Sequence, residues 1–325
     1  MIVGNELRAW AADRERQRRS NASMKRFAAR WNSGAVHDRF TAELAKVSAK
    51  SAEAVAEAVR SLFADDQWVD SLIGSLASAM RRDPYFEPPF GTINSDIHSG
   101  LLVFQDDAVA IAACVSRVGQ LAAKKNAKRG ATSIGFTGQI GIIKFVKSGG
   151  ARLSFWEAPP ITGDFTAASS GQCIRTGTRS IEDGEILAID GRFQAYVIEH
   201  ATSNLVMLQA SITRDQAPLT VEYDSRTHQY VGCSATDDTA SRIQMITTLI
   251  RKLGSDHAFE AVAALLDHDE FFVRWHVMRE LLGIDAAAAL PHLRRMAGAD
   301  PHPDARRAAR QVLDRMAGHD LLKAA

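Results

Sequence analysis

His98, His200, His228 and Glu199 are the residues in the middle of this chain with the chemistry to hold a metal. A metal centre needs three or four ligands converging on one point. On a strand, Glu199 and His200 would leave opposite faces, so the pair could not line one pocket without a bulge. His98 stands beside a proline-rich boundary, and His228 lies in the polar turn Asp224-Ser225-Arg226-Thr227-His228. Surface or capping roles are expected for both, and no metal or other cofactor is expected. Nucleophilic catalysis starts no better. The chain has no Gly-x-Ser-x-Gly elbow, and Cys114, Cys173 and Cys233 have no histidine in a recognisable frame beside them. Gly135 to Gly141 has the glycines of a phosphate loop without its lysine-serine ending, and its alternating apolar residues read as strand and turn.

One further chemistry is open, binding to an acidic surface. Eight basic residues run from Arg8 to Arg30, with Trp10 and Phe27 among them, against Asp13 and Glu15. The cluster is mixed in sign and the 325-residue chain carries a net charge of only +1, so a solvated helix face is the expected reading and nucleic acid is not an expected partner. At 46% hydrophobic and 24% charged, the composition is that of a globular protein large enough to bury a core without staples. Three cysteines, odd in number and with no CxxC pair, fit neither a disulfide framework nor a zinc site, and suit a reducing compartment. The N-terminus turns charged after Val3, and the apolar run from Ala108 to Val115 is too short to span a membrane. A cytoplasmic protein with no membrane contact is expected.

The elements change texture twice. From Arg39 to Met80, Phe40, Leu44, Val47, Val55, Val59 and Leu62 recur at helical spacing, and Asp65 and Asp66 can cap a second helix striped by Trp68, Leu72, Leu76 and Met80. The pattern predicts an αα-hairpin whose stripes must be buried on the following domain or on a second subunit. Arg81-Arg82-Asp83-Pro84 ends it, and Glu87-Pro88-Pro89-Phe90-Gly91 is a boundary that cannot continue a helix. From Gly100 to Cys233 there are eleven candidate strands, from Leu101–Phe104 to Gln229–Gly232, among them Ser133–Phe136, Ile140–Val146 and Leu205–Ile212. Turn signals such as Ser148-Gly149-Gly150 and Asp190-Gly191 separate them, as in a sandwich or barrel. Lys124 to Arg129 reads as a solvated loop tip.

From Asp237 the pattern is helical and periodic. Arginines recur every 32 residues (242, 274, 306), leucines keep the same interval (249, 281, 313), and an acidic residue precedes each arginine. Such a period marks stacked helical hairpins. The unit Asp269-Glu270-Phe271-Phe272-Val273-Arg274, closed by Leu281-Leu282-Gly283, resembles a HEAT repeat, and the resemblance runs from about Asp237 to Met316. It departs at Ser241 and Ala305, where the family has valine, which bears on the number of repeats. HEAT repeats imply a protein partner, and Arg274, Trp275, His276 and Arg306 are the candidate partner-binding residues.

Within the β region, Arg179 to Gly191 followed by Phe193 to His200 resembles the second half of a cupin. In that family a glycine turn such as Gly184 is followed by a metal-binding histidine. The spacing puts that position at Ala195, flanked by Gln194 and Tyr196, and the family's His-x-His motif is absent between Gly100 and Ala158. The metal chemistry is therefore not carried over.

The expected architecture is α+β and multidomain. It comprises an N-terminal α-hairpin with a basic arm (1–90), a central cupin-like antiparallel β barrel or sandwich (91–236) and a C-terminal HEAT-like array (237–325). The expected function is non-catalytic binding, regulation or scaffolding. The array would dock an unidentified protein partner, and the β domain would support a homodimer or hold a small ligand. The alternative is a cupin-type metal-dependent enzyme with a degenerate site.

Overall fold

The computed structural model describes residues 5–95, 97–127, 133–254 and 258–323, and over them the chain is mixed α+β. Its N-terminal part holds α1 (Asn5–Ala12), α2 (Arg14–Asn32), α3 (Ala35–Ala45), α4 (Ala52–Ala64) and α5 (Gln67–Arg82). The helix expected to run from Phe40 to Leu62 is thus two helices. Val47 and Val55 flank a break, and Ser51 caps the new start by accepting from the Ala54 amide. The basic segment is itself an ordered helix. Asp13 accepts the amides of Glu15 and Arg16 at its start, and Phe27 buries on its inner side. In place of the expected hairpin, the described residues form five helices.

Among the described residues twelve strands follow. They are β1 (Gly91–Asn94), β2 (His98–Gln105), β3 (Val109–Ser116), β4 (Ser133–Phe136), β5 (Ile140–Lys147) and β6 (Arg152–Glu157). Then come β7 (Ile174–Ser180), β8 (Ile186–Asp190), β9 (Gln194–His200), β10 (Leu205–Ile212), β11 (Leu219–Asp224) and β12 (Tyr230–Ala235). Between β3 and β4 stands α6 (Val118–Ala127), so the expected loop tip is helical as far as Ala127, and Lys128 and Arg129 lie outside the described residues. All pairings are antiparallel. A six-stranded sheet has the order β1-β2-β3-β10-β5-β8, and two three-stranded sheets have the orders β12-β11-β4 and β7-β6-β9.

The helix layer lies on the outer face of the large sheet. Val55, Val59 and Phe63 of α4 share one core with Ile140, Ile142, Leu208, Ala210 and Ile212. The alternate residues of the same strands, Ile143, Phe145, Leu205 and Met207, point the other way and pack with Leu153 and Ile198 of the small β7-β6-β9 sheet. Strands buried on both faces read as continuous apolar runs, which is why β5 and β10 were legible. Helices and sheet cover one another within the chain, which removes the reason for expecting a dimer across them.

One charge sits in that seam. Lys144 is 5% exposed, donates to the Phe63 carbonyl (2.8 Å) and lies 3.0 Å from the Asp66 carboxylate. It ties the C-terminal end of α4 to β5, where a cation is favoured by the helix dipole. Lys144→Met is expected to lower stability by about 2 kcal/mol in chemical denaturation. A change near zero would mean the ammonium does not hold α4 in place.

The C-terminal helices are α7 (Asp238–Leu253), α8 (Phe259–Ala263) with a 3-10 turn at Ala264–Asp267, α9 (Phe271–Ile284), α10 (Ala286–Ala299) and α11 (Pro303–Lys323). Asp237 caps α7 and Asp285 caps α10 through side-chain acceptance of first-turn amides. Gly254, at φ +68°, ends α7 in the left-handed conformation that suits glycine. Their shared core centres on Val273, Val277, Met278, Leu281, Ala289 and Leu293.

Candidate functional site

The space between the two three-stranded sheets is filled by side chains. Ala195, where the cupin resemblance would put a histidine, is 3% exposed and pairs across the strands with Trp156. The Trp156 indole donates to Ser154 Oγ (2.9 Å), which donates to Glu199 (2.6 Å), and Arg175 lies 3.4 Å from the same carboxylate. Glu199 is thereby occupied. His228 meets Trp156 edge-on at 5.0 Å, and His98 Nδ1 lies 2.7 Å from Ser116 Oγ. His98, His200 and His228 are not brought together. Among the described residues no three His, Cys, Asp or Glu side chains are grouped to hold a metal.

A small polar cluster that the sequence did not signal lies on the other face of the β7-β6-β9 sheet, against the large sheet. Cys114 on β3 donates to Gln209 Oε1 on β10 (3.2 Å). Burial pushes this thiol up to about 12. Tyr196 on β9 is also pushed up to about 12, by burial and the neighbouring Cys114, with a hydrogen bond to Gln209 acting the other way. Cys173, in the separate core with Trp156 and Ala195, rises to about 11 through burial. At neutral pH these groups are protonated and serve as hydrogen-bonding partners; none is a ready nucleophile.

The array spends its motif residues internally. Arg274, expected to meet a partner, is 7% exposed. Its Nε and Nη2 donate to the two Asp300 oxygens (2.9 and 2.8 Å), and Nη1 donates to the carbonyls of His268 and Asp269 (2.7 Å each). Arg306, half-buried, repeats the pattern on Asp300 and Pro301 (2.6 and 2.9 Å). In both units the arginine takes the carbonyls five and six residues upstream, satisfying the chain that enters its helix. The hydrogen-bonded Asp300 raises the Arg274 guanidinium further. His276 lies 2.9 Å from the Gln244 carbonyl and 3.0 Å from Thr248 Oγ1, joining α9 to α7. Burial lowers this imidazole although Glu280 acts to raise it. Trp275 is half-buried in the array core.

The open surface lies elsewhere. On α7, Met245 (65%), Ile246 (56%), Leu249 (55%) and Leu253 (73%) are exposed. One period later the residues equivalent to the first three are Val277, Met278 and Leu281, each 0% exposed. The difference is positional. Helix α9 is enclosed by α7, α8, the 3-10 turn and α10, and α11 rests on α10, whereas among the described residues no helix precedes α7 in the stack. Core positions of the repeat are thus left uncovered at its first helix. Next to this end, Val231 on the edge strand β12 is 62% exposed.

Residues 233–314 match the family model for HEAT repeats, in agreement with the 32-residue period. No curated protein matches the sequence. Solved structures similar to this chain include ectoine synthase from P. lautus, 12% identical at TM-score 0.24 over 38% of this chain and 69% of that chain. A sugar phosphate isomerase of the cupin superfamily from Silicibacter pomeroyi is 9% identical at TM-score 0.23, over 44% of this chain and 79% of that one. Oxalate decarboxylase from Lactobacillus farciminis is 11% identical at TM-score 0.24, over 49% and 37%. The chain is thus an α+β protein whose C-terminal residues 233–314 are HEAT-like repeats. Among the described residues no helix is long and apolar enough to cross a membrane.

Proposed function

We propose that this chain is a non-catalytic docking protein whose repeat array receives an amphipathic helix of a protein partner on the open face of α7. The carrying observation is the contrast between Met245, Ile246 and Leu249, all more than half exposed, and their fully buried equivalents Val277, Met278 and Leu281. An end unit of a stacked array ordinarily turns a polar face outward, and this one turns an apolar face. The vacant place has the shape of the helix that would precede α7, as α10 precedes α11, so a helix is the fitting occupant. Arg242 and Lys252 flank the stripe, which favours a partner helix with acidic edges. Arg274, Trp275, His276 and Arg306 then act by holding the units in register beneath this face.

A cytoplasmic setting belongs to the proposal and is supported by three free cysteines, one of them exposed. So does the division into 1–90, 91–236 and 237–325, in which the cut at 236 has the stronger support because the first two parts share one core.

The test compares the full chain with a Met245→Glu/Leu249→Glu variant, using Ile73→Glu, an equally exposed apolar residue on α5, as control. Partner affinity, measured on the co-purified and identified protein, is expected to fall at least about tenfold for the α7 variant alone. Equal binding by all three forms removes the proposal. Light scattering at twice the 35.4 kDa chain mass, reverting to one chain in the α7 variant, would instead make the occupant a second copy.

A further inference from the structure

We propose that the groove between α2, α3 and α5 is a binding site for a small organic anion, with a phosphate or carboxylate head on a flat apolar body. The groove holds about 590 Å3 and is lined by two arginines, Arg30 and Arg82, with no carboxylate among the described lining residues. Neither guanidinium has an ion-pair partner among the described residues. Arg82 donates to Ser78 Oγ (3.0 Å), and Arg30 lies 6.0 Å from the Phe27 ring centroid. An uncompensated pair of arginines at the wall of a cleft is a place where an anion gains charge-assisted hydrogen bonds. Asp38, the acidic residue in the first turn of α3, is not part of the lining.

The start of α3 faces the same space. Gly34 and Ala35 line it, and Gly34, as the N-cap, has no side chain to satisfy the first-turn amides. Those N–H groups lack intrahelical acceptors and lie at the positive end of the helix dipole. A separate observation comes from Trp68. It lines the groove, is 7% exposed, and its Nε1–H has no acceptor among the described residues. An indole N–H can only donate, and buried donors are ordinarily paired. Together with Trp31, 6.2 Å away between ring centroids, Trp68 gives an aromatic wall suited to a flat apolar body.

Beyond Trp68 the α5 wall is kept low. Ser71, Gly74, Ser75 and Ser78 lie along one face of α5. A Cβ on Gly74 would meet nothing within 4 Å, and its backbone is ordinary helix. Glycine is a poor helix former, and no neighbour requires its absence of a side chain here. The space above it is what the glycine preserves.

The full-length protein is titrated with phenyl phosphate, with benzoate and with neutral benzyl alcohol, by calorimetry and by tryptophan emission. At least one of the two anions is expected to bind and shift the emission, while benzyl alcohol at the same concentration does not bind. Tighter phenyl phosphate assigns a phosphate head; tighter benzoate assigns a carboxylate. Arg30→Gln/Arg82→Gln should weaken the bound anion about tenfold or more, the size of one lost charge-assisted contact. Gly74→Leu fills the groove without touching either arginine, so it should abolish binding while its melting temperature equals or exceeds that of the parent. The proposal is overturned if neither anion binds at millimolar concentration, if benzyl alcohol binds equally, or if Gly74→Leu retains the parent affinity.

Discussion

Arg274→Ala should destabilise the C-terminal array by about 3–5 kcal/mol, because it leaves the Asp300 carboxylate buried without its cation. Both side chains of the pair are almost sealed, at 9% and 4% exposure, and the contact is bidentate. The guanidinium also holds two carbonyls that a truncation would abandon, so the loss is larger than that of a surface ion pair. Arg274→Lys should recover only part of it, since an ammonium cannot make the forked contact. Replacing both partners, as Arg274→Met/Asp300→Leu, should be milder than removing the arginine alone, because no uncompensated charge remains. Urea denaturation followed by far-UV circular dichroism reads all three. A cost under about 1 kcal/mol for Arg274→Ala would place the pair with ordinary surface bridges.

The same pair sets an acid limit. Burial alone would raise the Asp300 carboxyl, but Arg274 and the His302 amide bond to its charged form and bring it below the ordinary value of 3.8. A carboxyl depressed on folding contributes stability that is complete above its unfolded pKa and is lost as pH falls through the folded one. The Asp300 contribution should therefore be complete from neutrality to about pH 5 and be lost below 3.8. In Asp300→Asn that acid-dependent part should disappear.

The legible parts of this molecule were those where one local pattern repeats or fills both faces of an element. Arginine and leucine at a 32-residue interval exposed the array, and the alternation of β4 and the mostly apolar run of β10 gave those strands their observed bounds. The N-terminal hairpin was misread because Val47 and Val55, eight residues apart, continue a helical register across a break that Ser51 restarts. β1 was missed because Gly91 to Asn94 is an exposed edge without an apolar pattern. The anion groove was illegible for a different reason. Arg30 on α2, Gly34 at the cap of α3 and Gly74 on α5 are far apart in sequence, and only packing brings one sign of charge and an empty space together. The interior contact of Cys114 with Gln209 likewise joins strands far apart in sequence. Periodicity shows that core positions exist and cannot show where the stack of units ends.

That ending is what the second large effect measures. Leu249 and Leu281 are one period apart and identical in type, so a sequence argument assigns them equal weight. The structure separates them, at 55% and 0% exposed. Leu281→Ala should cost about 2–5 kcal/mol, because it empties space enclosed by neighbouring helices and the surroundings recover only part of the lost contact. Leu249→Ala removes side chain that is mostly in water already, and should stay within about 0.5 kcal/mol in the isolated chain. Measured again with a bound partner, the two should converge: a helix seated on α7 would bury Leu249, and its truncation would then weaken the complex while Leu281→Ala would act mainly through folding. Chemical denaturation of each variant, with and without the partner identified through α7, separates these effects. A cost for Leu249→Ala as large as that for Leu281→Ala in the free protein would mean that α7 is already covered in solution. The most direct candidate for that cover is a second copy of the chain.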